Sequence, residues 1–354
     1  MPAEKPDMHI IGIIDDEMDR HGKFKTLIKR EGEGKIMEAD QSLTDLLYSL
    51  EMQEGLKDAS GCKESIALGM DNIKRHRKKA EKNMGKKGVD EIINCRAKIH
   101  LLMDSPGGSK IIGDQYSSLM KRARKNNSGT NAYVTREASS MACNLLFEAE
   151  KGYAMKDSFI LWHLGRVDDD IFNPPLQEEN EPTDPEESAT EMESGFNFDA
   201  DELQAEFDNE NWEIFTAMMN DKCKSTKRKR MQKKLDASFN GARKEVIFSG
   251  KELADYGVIA GAFDSTRKLF EKFCEETGIE PDLDKDKTAI GKFFRFARMA
   301  EQVSKNAGIH CSLRYDQEYH AIKFRIINDE EDTPENKKKV REALGDVLES
   351  GKKK

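Results

Sequence analysis

No apolar run in this chain approaches the length of about 20 residues that a bilayer demands, so no membrane-spanning helix is expected. Paired cysteines are missing too. The six cysteines (Cys62, Cys95, Cys143, Cys223, Cys274, Cys311) are scattered, with no Cys-x-x-Cys spacing. That excludes a zinc-knuckle pattern and points to free thiols in a reducing compartment. The phosphate-binding Gly-x-x-x-x-Gly-Lys loop is absent, so the chain itself is not expected to hydrolyse ATP. Apolar residues are also scarce: 37% hydrophobic against 35% charged leaves material for one proper core, with solvated helices and tails around it. A net charge of −9 argues against nucleic acid as a partner. The basic stretch Lys74–Lys87 is accordingly read as a solvated helix face. The opening "MPAEKPDMHIIGII", with acids and prolines before a short β-like run, does not read as a secretory signal. A soluble, cytoplasmic protein with neither metal nor cofactor is expected.

What is present reads as alternating elements. "HIIGIIDDEMD" is a buried strand running into an acidic turn, and "AKIHLLMD" is a second buried strand closed by the turn "SPGGS". Between them, about 23–95, the pattern is polar and reads as a charged helical insertion. Helical spacing follows from Ile111 to Asn127, then a short strand "TNAYVT", a helix-like stretch from Ser140 to Glu150, and a strand "DSFILWH" ending in His163. Strands alternating with helices predict an α/β core whose helices cross between strands of one sheet. Residues of about 166–198, rich in acid, Pro and Ser, read as an acidic loop. An amphipathic helix follows, with Leu203, Phe207, Trp212, Phe215 and Met218 or Met219 along its stripe. Then come a basic helix, a strand and helix in "KEVIFSGKELADYG", and a tail with a long helical region, a hairpin in "CSLRYDQEYHAIKFRIIN" and a Lys-rich helix. The expected division is 1–265 for the core domain and 266–354 for a small α+β domain of unknown role.

Acyl transfer needs a hydroxyl, a base within reach, a group that orients the base, and backbone donors for an oxyanion. Candidates occur in order between residues 105 and 245. Gly107 and Gly108 follow a buried strand, where a backbone without Cβ can turn sharply and face a ligand. Ser139 and Ser140 precede a helix, whose first N–H groups lack intrahelical acceptors. Taken alone, either serine would be a helix cap. His163 closes an apolar strand.

The series "MDSPGGS", "TREASSMACNLLFEAEKGYAMKDSFILWH" and "VIFSGKELADYGVI" resembles the proteolytic subunit of the Clp protease, a serine peptidase of the crotonase-like fold. The resemblance implies a core of repeated strand-strand-helix units and a serine endopeptidase acting through an acyl-enzyme. It makes Ser140 the nucleophile and His163 the base. Gly107 or Gly108 would donate to the oxyanion together with Met141. The acid would be Glu245, with Asp236 as the alternative, because no carboxylate stands at the family's usual place near Asn240 and Gly241. Ser139 stands where the family usually has alanine, and Arg136–Glu137 replace a glycine and an uncharged residue; a bulky Arg136 is expected to narrow the substrate groove. The resemblance further implies protein or peptide substrates, a homo-oligomer, and delivery by an ATP-dependent unfoldase or action on phage scaffold proteins, as in head-maturation proteases. A catalytically inactive assembly or adaptor subunit is the alternative.

Overall fold

The computed structural model describes residues 8–15, 25–30, 36–38, 97–108, 129–163, 212–239, 245–280, 282–284, 286–316 and 320–352, with isolated helical positions within 74–86 and 117–124. The expected acidic loop and most of the charged insertion lie outside the described residues.

Strands β1 (Met8–Ile14), β4 (Ala97–Ser105) and β5 (Thr130–Ser139) form the middle of a nine-stranded sheet and run parallel. A parallel strand covered on both faces needs apolar residues at successive positions, and "MHIIGII" is buried throughout. Its side chains divide between two cores. Ile10 and Ile14 face the cluster that includes helix α1 (Met141–Glu148), while Ile11 and Ile13 face the cluster that includes Phe270, Phe273 and Phe294. The result is a mixed α/β architecture with a mostly parallel central sheet and helices on both faces.

Two findings depart from the sequence reading. Residues expected to be helical at the start of the insertion are strands: β2 (Lys25–Arg30) pairs antiparallel with β1, and β3 (Ile36–Glu38) pairs with β2. The lysines in "KTLIKR" masked the strand, yet Lys29 is buried for a reason. Its ammonium donates to the carbonyls of Thr277 (2.6 Å) and Gly278 (2.9 Å), at the negative end of helix α5 (Thr266–Thr277). A further strand, β6 (Lys151–Met155), follows α1 directly. Its Gly152 hides the pattern but is required there, because a Cβ would come within 2.7 Å of Ile259 and 2.9 Å of Leu146.

The junction that matters is β5. It is ten residues long and buried throughout, and its two halves have different neighbours on one edge. Asn131–Val134 pair with β6, whereas Glu137–Ser139 pair with β7 (Phe159–His163). Opposite this split the register with β4 shifts between Met103 and Ser105. Such irregularities re-aim side chains at sheet ends. β7 in turn pairs antiparallel with β8 (Glu245–Ser249), which leads through a Ser249–Glu252 capping box into helix α4 (Gly250–Tyr256) and then β9 (Gly261–Phe263) beside β6.

Helices α2 (212–222) and α3 (Arg228–Phe239) lie on the α1 side. Phe215 of α2 stacks on Trp162 of β7 at 4.0 Å between ring centroids. Beyond β9, α5 and the first half of α6 (Ala289–Ala307) cover the other face, through Phe270, Phe273, Ile290 and Phe294. The second half of α6 joins the hairpin β10 (Cys311–Asp316)–β11 (Ala321–Ile326) and helix α7 (Pro334–Lys352) in a third cluster. The expected division at 265 therefore falls just ahead of helices that share the core of the sheet. No helix among the described residues is long and apolar enough to cross a membrane.

Candidate active site at the end of the fifth strand

Strand β5 runs out at Ser139, and α1 begins at Met141. The single residue between them, Ser140, has φ 54° and ψ −123°. Non-glycine residues rarely adopt positive φ, and such strain persists only where surroundings enforce it. The enforcement is visible. Ser140 N–H donates to the Leu161 carbonyl of β7 (2.8 Å), and the Ser140 carbonyl accepts from Asn144 N–H (3.2 Å). Its hydroxyl makes no capping hydrogen bond to the helix. The ordinary reason for a serine before a helix is therefore missing at Ser140.

The "SPGGS" turn presses against this elbow. Gly107 has φ 99°, and a Cβ there would stand 2.5 Å from both the Ser140 Cβ and the Ser139 carbonyl, and 3.1 Å from Met141 N. Only glycine fits. The Gly107 N–H donates to Ser105 Oγ at 3.1 Å, while Gly108, with φ 121°, is the exposed member of the turn. Met141 N–H is the first of α1, a position with no intrahelical acceptor.

His163 lies two residues beyond Leu161, on the same side of β7, since side chains alternate along a strand. Trp162 and Ile160 point the other way, into the core. Across the antiparallel ladder, His163 is paired directly with Glu245. Directly opposed side chains have Cβ atoms about 4.5–5.5 Å apart, within reach of one another. On this face of the β7–β8 pair, Ile247, two residues beyond Glu245 and paired with Leu161, is 44% exposed. Asp236, the alternative acid, sits in the last turn of α3, where its Oδ1 accepts from Gln232 Nε2 at 2.7 Å. The structure thus gathers Gly107 and Met141 around Ser140, and pairs His163 with Glu245 on the strand that holds the Ser140 N–H.

Arg136 does not narrow a groove. It is fully buried in β5, bonded to Asp157 (2.9 Å), to Ser304 Oγ of α6 (3.1 Å) and to His310 Nδ1 (3.1 Å). Glu137 is buried as well. It accepts from Ser139 Oγ at 2.7 Å and from Arg325 of β11. These two charged residues, unexplained in the sequence, anchor the C-terminal helices and hairpin to the strand that carries Ser140. Sequence reasoning also passed over Asp104, the last carboxyl of β4. It is 7% exposed, with Oδ1 unbonded. Burial first, and the neighbouring Glu137 second, push its pKa up to about 7. A carboxylate placed directly ahead of a glycine turn was the available signal. Among the described residues no cluster of His, Cys, Asp or Glu is placed to hold a metal ion, and Cys143, Cys223, Cys274 and Cys311 are buried free thiols.

No protein-family model and no curated protein matches the chain. Among solved structures it is similar to a point mutant of ClpP1 from Listeria monocytogenes, with 11% identity over 73% of this chain and 94% of that one, at a TM-score of 0.33. A likeness that loose carries no weight for chemistry.

Proposed function

We propose that the chain is a serine endopeptidase with a Clp-protease-like core, cleaving protein or peptide substrates through an acyl-enzyme. The observation that carries this reading is Ser140 itself. It is a non-glycine residue held at positive φ between strand and helix, its hydroxyl is unused as a cap, and a glycine turn is packed against it.

In this reading Ser140 Oγ attacks the scissile carbonyl carbon as its proton passes to His163. The carbonyl oxygen becomes an oxyanion held by Met141 N–H and by the glycine turn. With Gly107 N–H engaged by Ser105, Gly108 is the better donor and Gly107 the residue that permits close approach. His163 returns the proton to the departing amine as the C–N bond breaks. Water then repeats the sequence on the ester. Glu245 orients and charge-balances the imidazole from the paired strand. One oxyanion donor typically contributes about 3–4 kcal/mol to barrier lowering. Assembly into a homo-oligomer, and substrate delivery by an unfoldase or from phage scaffold proteins, belong to the same proposal.

A fluorophosphonate probe tests it. The parent chain should be labelled and Ser140→Ala should not; equal labelling of the two would remove Ser140 from the mechanism. The second reading is an inactive assembly subunit, favoured by the engagement of the Gly107 N–H. It predicts a folded chain with no labelling at all, and peptide hydrolysis above background would exclude it.

A further inference from the structure

Charge is sorted along this chain more sharply than its net value shows. From Val167 to Asp221 there are 19 Asp and Glu residues and no Lys or Arg. From Lys222 to Lys234 there are eight Lys and Arg and no acid. The basic run forms the end of α2, the link after it and the first half of α3.

Three of the eight are used within the fold. Lys222 Nζ donates to the Ala149 carbonyl at 2.7 Å, Lys234 pairs with Glu252 at 2.9 Å, and the Arg230 guanidinium lies over the Tyr256 ring. The other five, Lys224, Lys227, Arg228, Lys229 and Lys233, are exposed, and among the described residues none pairs with a carboxylate. Met231 and Leu235 fix α3 to the core, which leaves these cations on its outer surface. Their placement works against the helix. Arg228 and Lys229 stand in a first turn that holds no acid, at the positive end of the dipole, and Lys229 and Lys233 are like charges four residues apart. A polyanion lying along this face offsets both.

The course of the chain indicates which polyanion. Residues 164–211 lie outside the described residues, and 17 of the 19 carboxyls fall among them. The chain leaves at His163, where β7 ends, and re-enters at Trp212, whose ring is 5.5 Å from that of Trp162. Both ends are therefore anchored in one place. α3 stands beside it: Asn220 of α2, about two helical turns from Trp212, donates to Gln232 of α3 at 3.2 Å. A tether of this kind presents opposite charge to α3 at an effective concentration on the order of millimolar.

We propose that the exposed basic face of α3 is a docking surface for the acidic segment 168–193 of the same molecule. That segment brings 11 carboxyls and no cation. The contact is electrostatic and spread over several charges, so salt weakens it. It involves neither Ser140 nor His163 and does not depend on the serine-peptidase reading.

The test is limited proteolysis of the full chain by a glutamyl endopeptidase, with Ser140→Ala in every sample so that no cleavage by the chain itself is counted. Cuts within 168–193 are followed by mass spectrometry at about 20 mM and about 500 mM salt, between which the screening length falls from about 20 Å to about 4 Å. At low salt the parent should be cut at least about tenfold more slowly than Lys227→Glu/Lys229→Glu/Lys233→Glu, and at high salt the two should be cut alike. Lys292→Glu/Lys338→Glu/Lys339→Glu makes the same change of net charge at exposed positions on other helices, and should be cut as the parent is. Equal cutting of the parent and the α3 variant at low salt, or equal acceleration by the second variant, would overturn the proposal. Protection that fades when the chain is diluted about a hundredfold would put the segment of a second copy on α3 and overturn the assignment to the same molecule. A short single-stranded oligonucleotide that binds the parent through these lysines without speeding the cuts would give the face to nucleic acid instead, and overturn it too.

Discussion

Ser140 holds a backbone conformation that suits glycine, so its side chain can be exchanged in two instructive ways. Ser140→Ala removes the hydroxyl but keeps the Cβ, and with it the strain. Ser140→Gly removes both. Activity should vanish in each, whereas urea denaturation should show the glycine variant more stable than the alanine variant by about 1 kcal/mol. A serine merely capping α1 would rank glycine above alanine as well, so activity is the readout that separates the two roles: a cap carries no catalytic phenotype. Gly107→Ala should be worse than either, because its new methyl meets Ser140 Cβ and Ser139 O at 2.5 Å. A loss of more than about 2 kcal/mol, together with peptidase activity, is expected by thermal unfolding and peptide hydrolysis. Much of this was legible residue by residue. The glycine pair, the double serine and the strand-terminal histidine are local signals. What was not legible was the backbone angle at Ser140, which depends on contacts from β7 and from a turn more than 30 residues earlier.

At the level of elements, the β7–β8 ladder decides which carboxylate stands opposite His163. Glu245 is opposite it, while Asp236 is on α3. Glu245→Gln should lower kcat/KM by tenfold or more, measured on a peptide substrate, and Asp236→Asn should leave it unchanged. The sequence left that choice open because strand pairing is a long-range property, and Glu245 is 82 positions from its partner. Charged strands were hidden for a related reason. Lys29, Arg136 and Glu137 carry the polar look of surface residues, yet each is buried against a specific partner supplied by a distant element. A second element-level feature is the contact between β1 and β4. His9 Nδ1 and His100 Nε2 lie 2.9 Å apart, and the other nitrogen of His100 is 3.3 Å from the Tyr133 hydroxyl. Desolvation, reinforced by His9, holds the His100 pKa well below 6.5. Once pH drops under about 6.5, the unfolded chain binds a proton that the folded chain refuses. The stability present above that pH is then lost progressively on acidification. His100→Asn or His100→Gln should flatten the acid limb of a stability–pH curve, read by chemical denaturation between pH 7 and 5.

Over the whole molecule, one connected path of charge crosses from the C-terminal hairpin to the elbow. Arg325 binds Glu137, Glu137 receives the Ser139 hydroxyl, and Ser139 is bonded covalently to Ser140. Arg325→Ala strands a buried carboxylate, which should cost roughly 3 kcal/mol and raise amide exchange in β5 and α1, far in sequence from the change. The division of the chain read from its sequence placed a separate unit after residue 265, which was reasonable from periodicity alone. The aromatic residues of α5 and α6 give no sign, in one dimension, of the sheet face they cover. A consequence follows for anyone wishing to trim this protein. Deleting everything after residue 265 would uncover the face of the sheet that Phe270, Phe273 and Phe294 cover. With the same cut, β5 loses the partners against which Arg136 and Glu137 are buried, Ser304, His310 and Arg325.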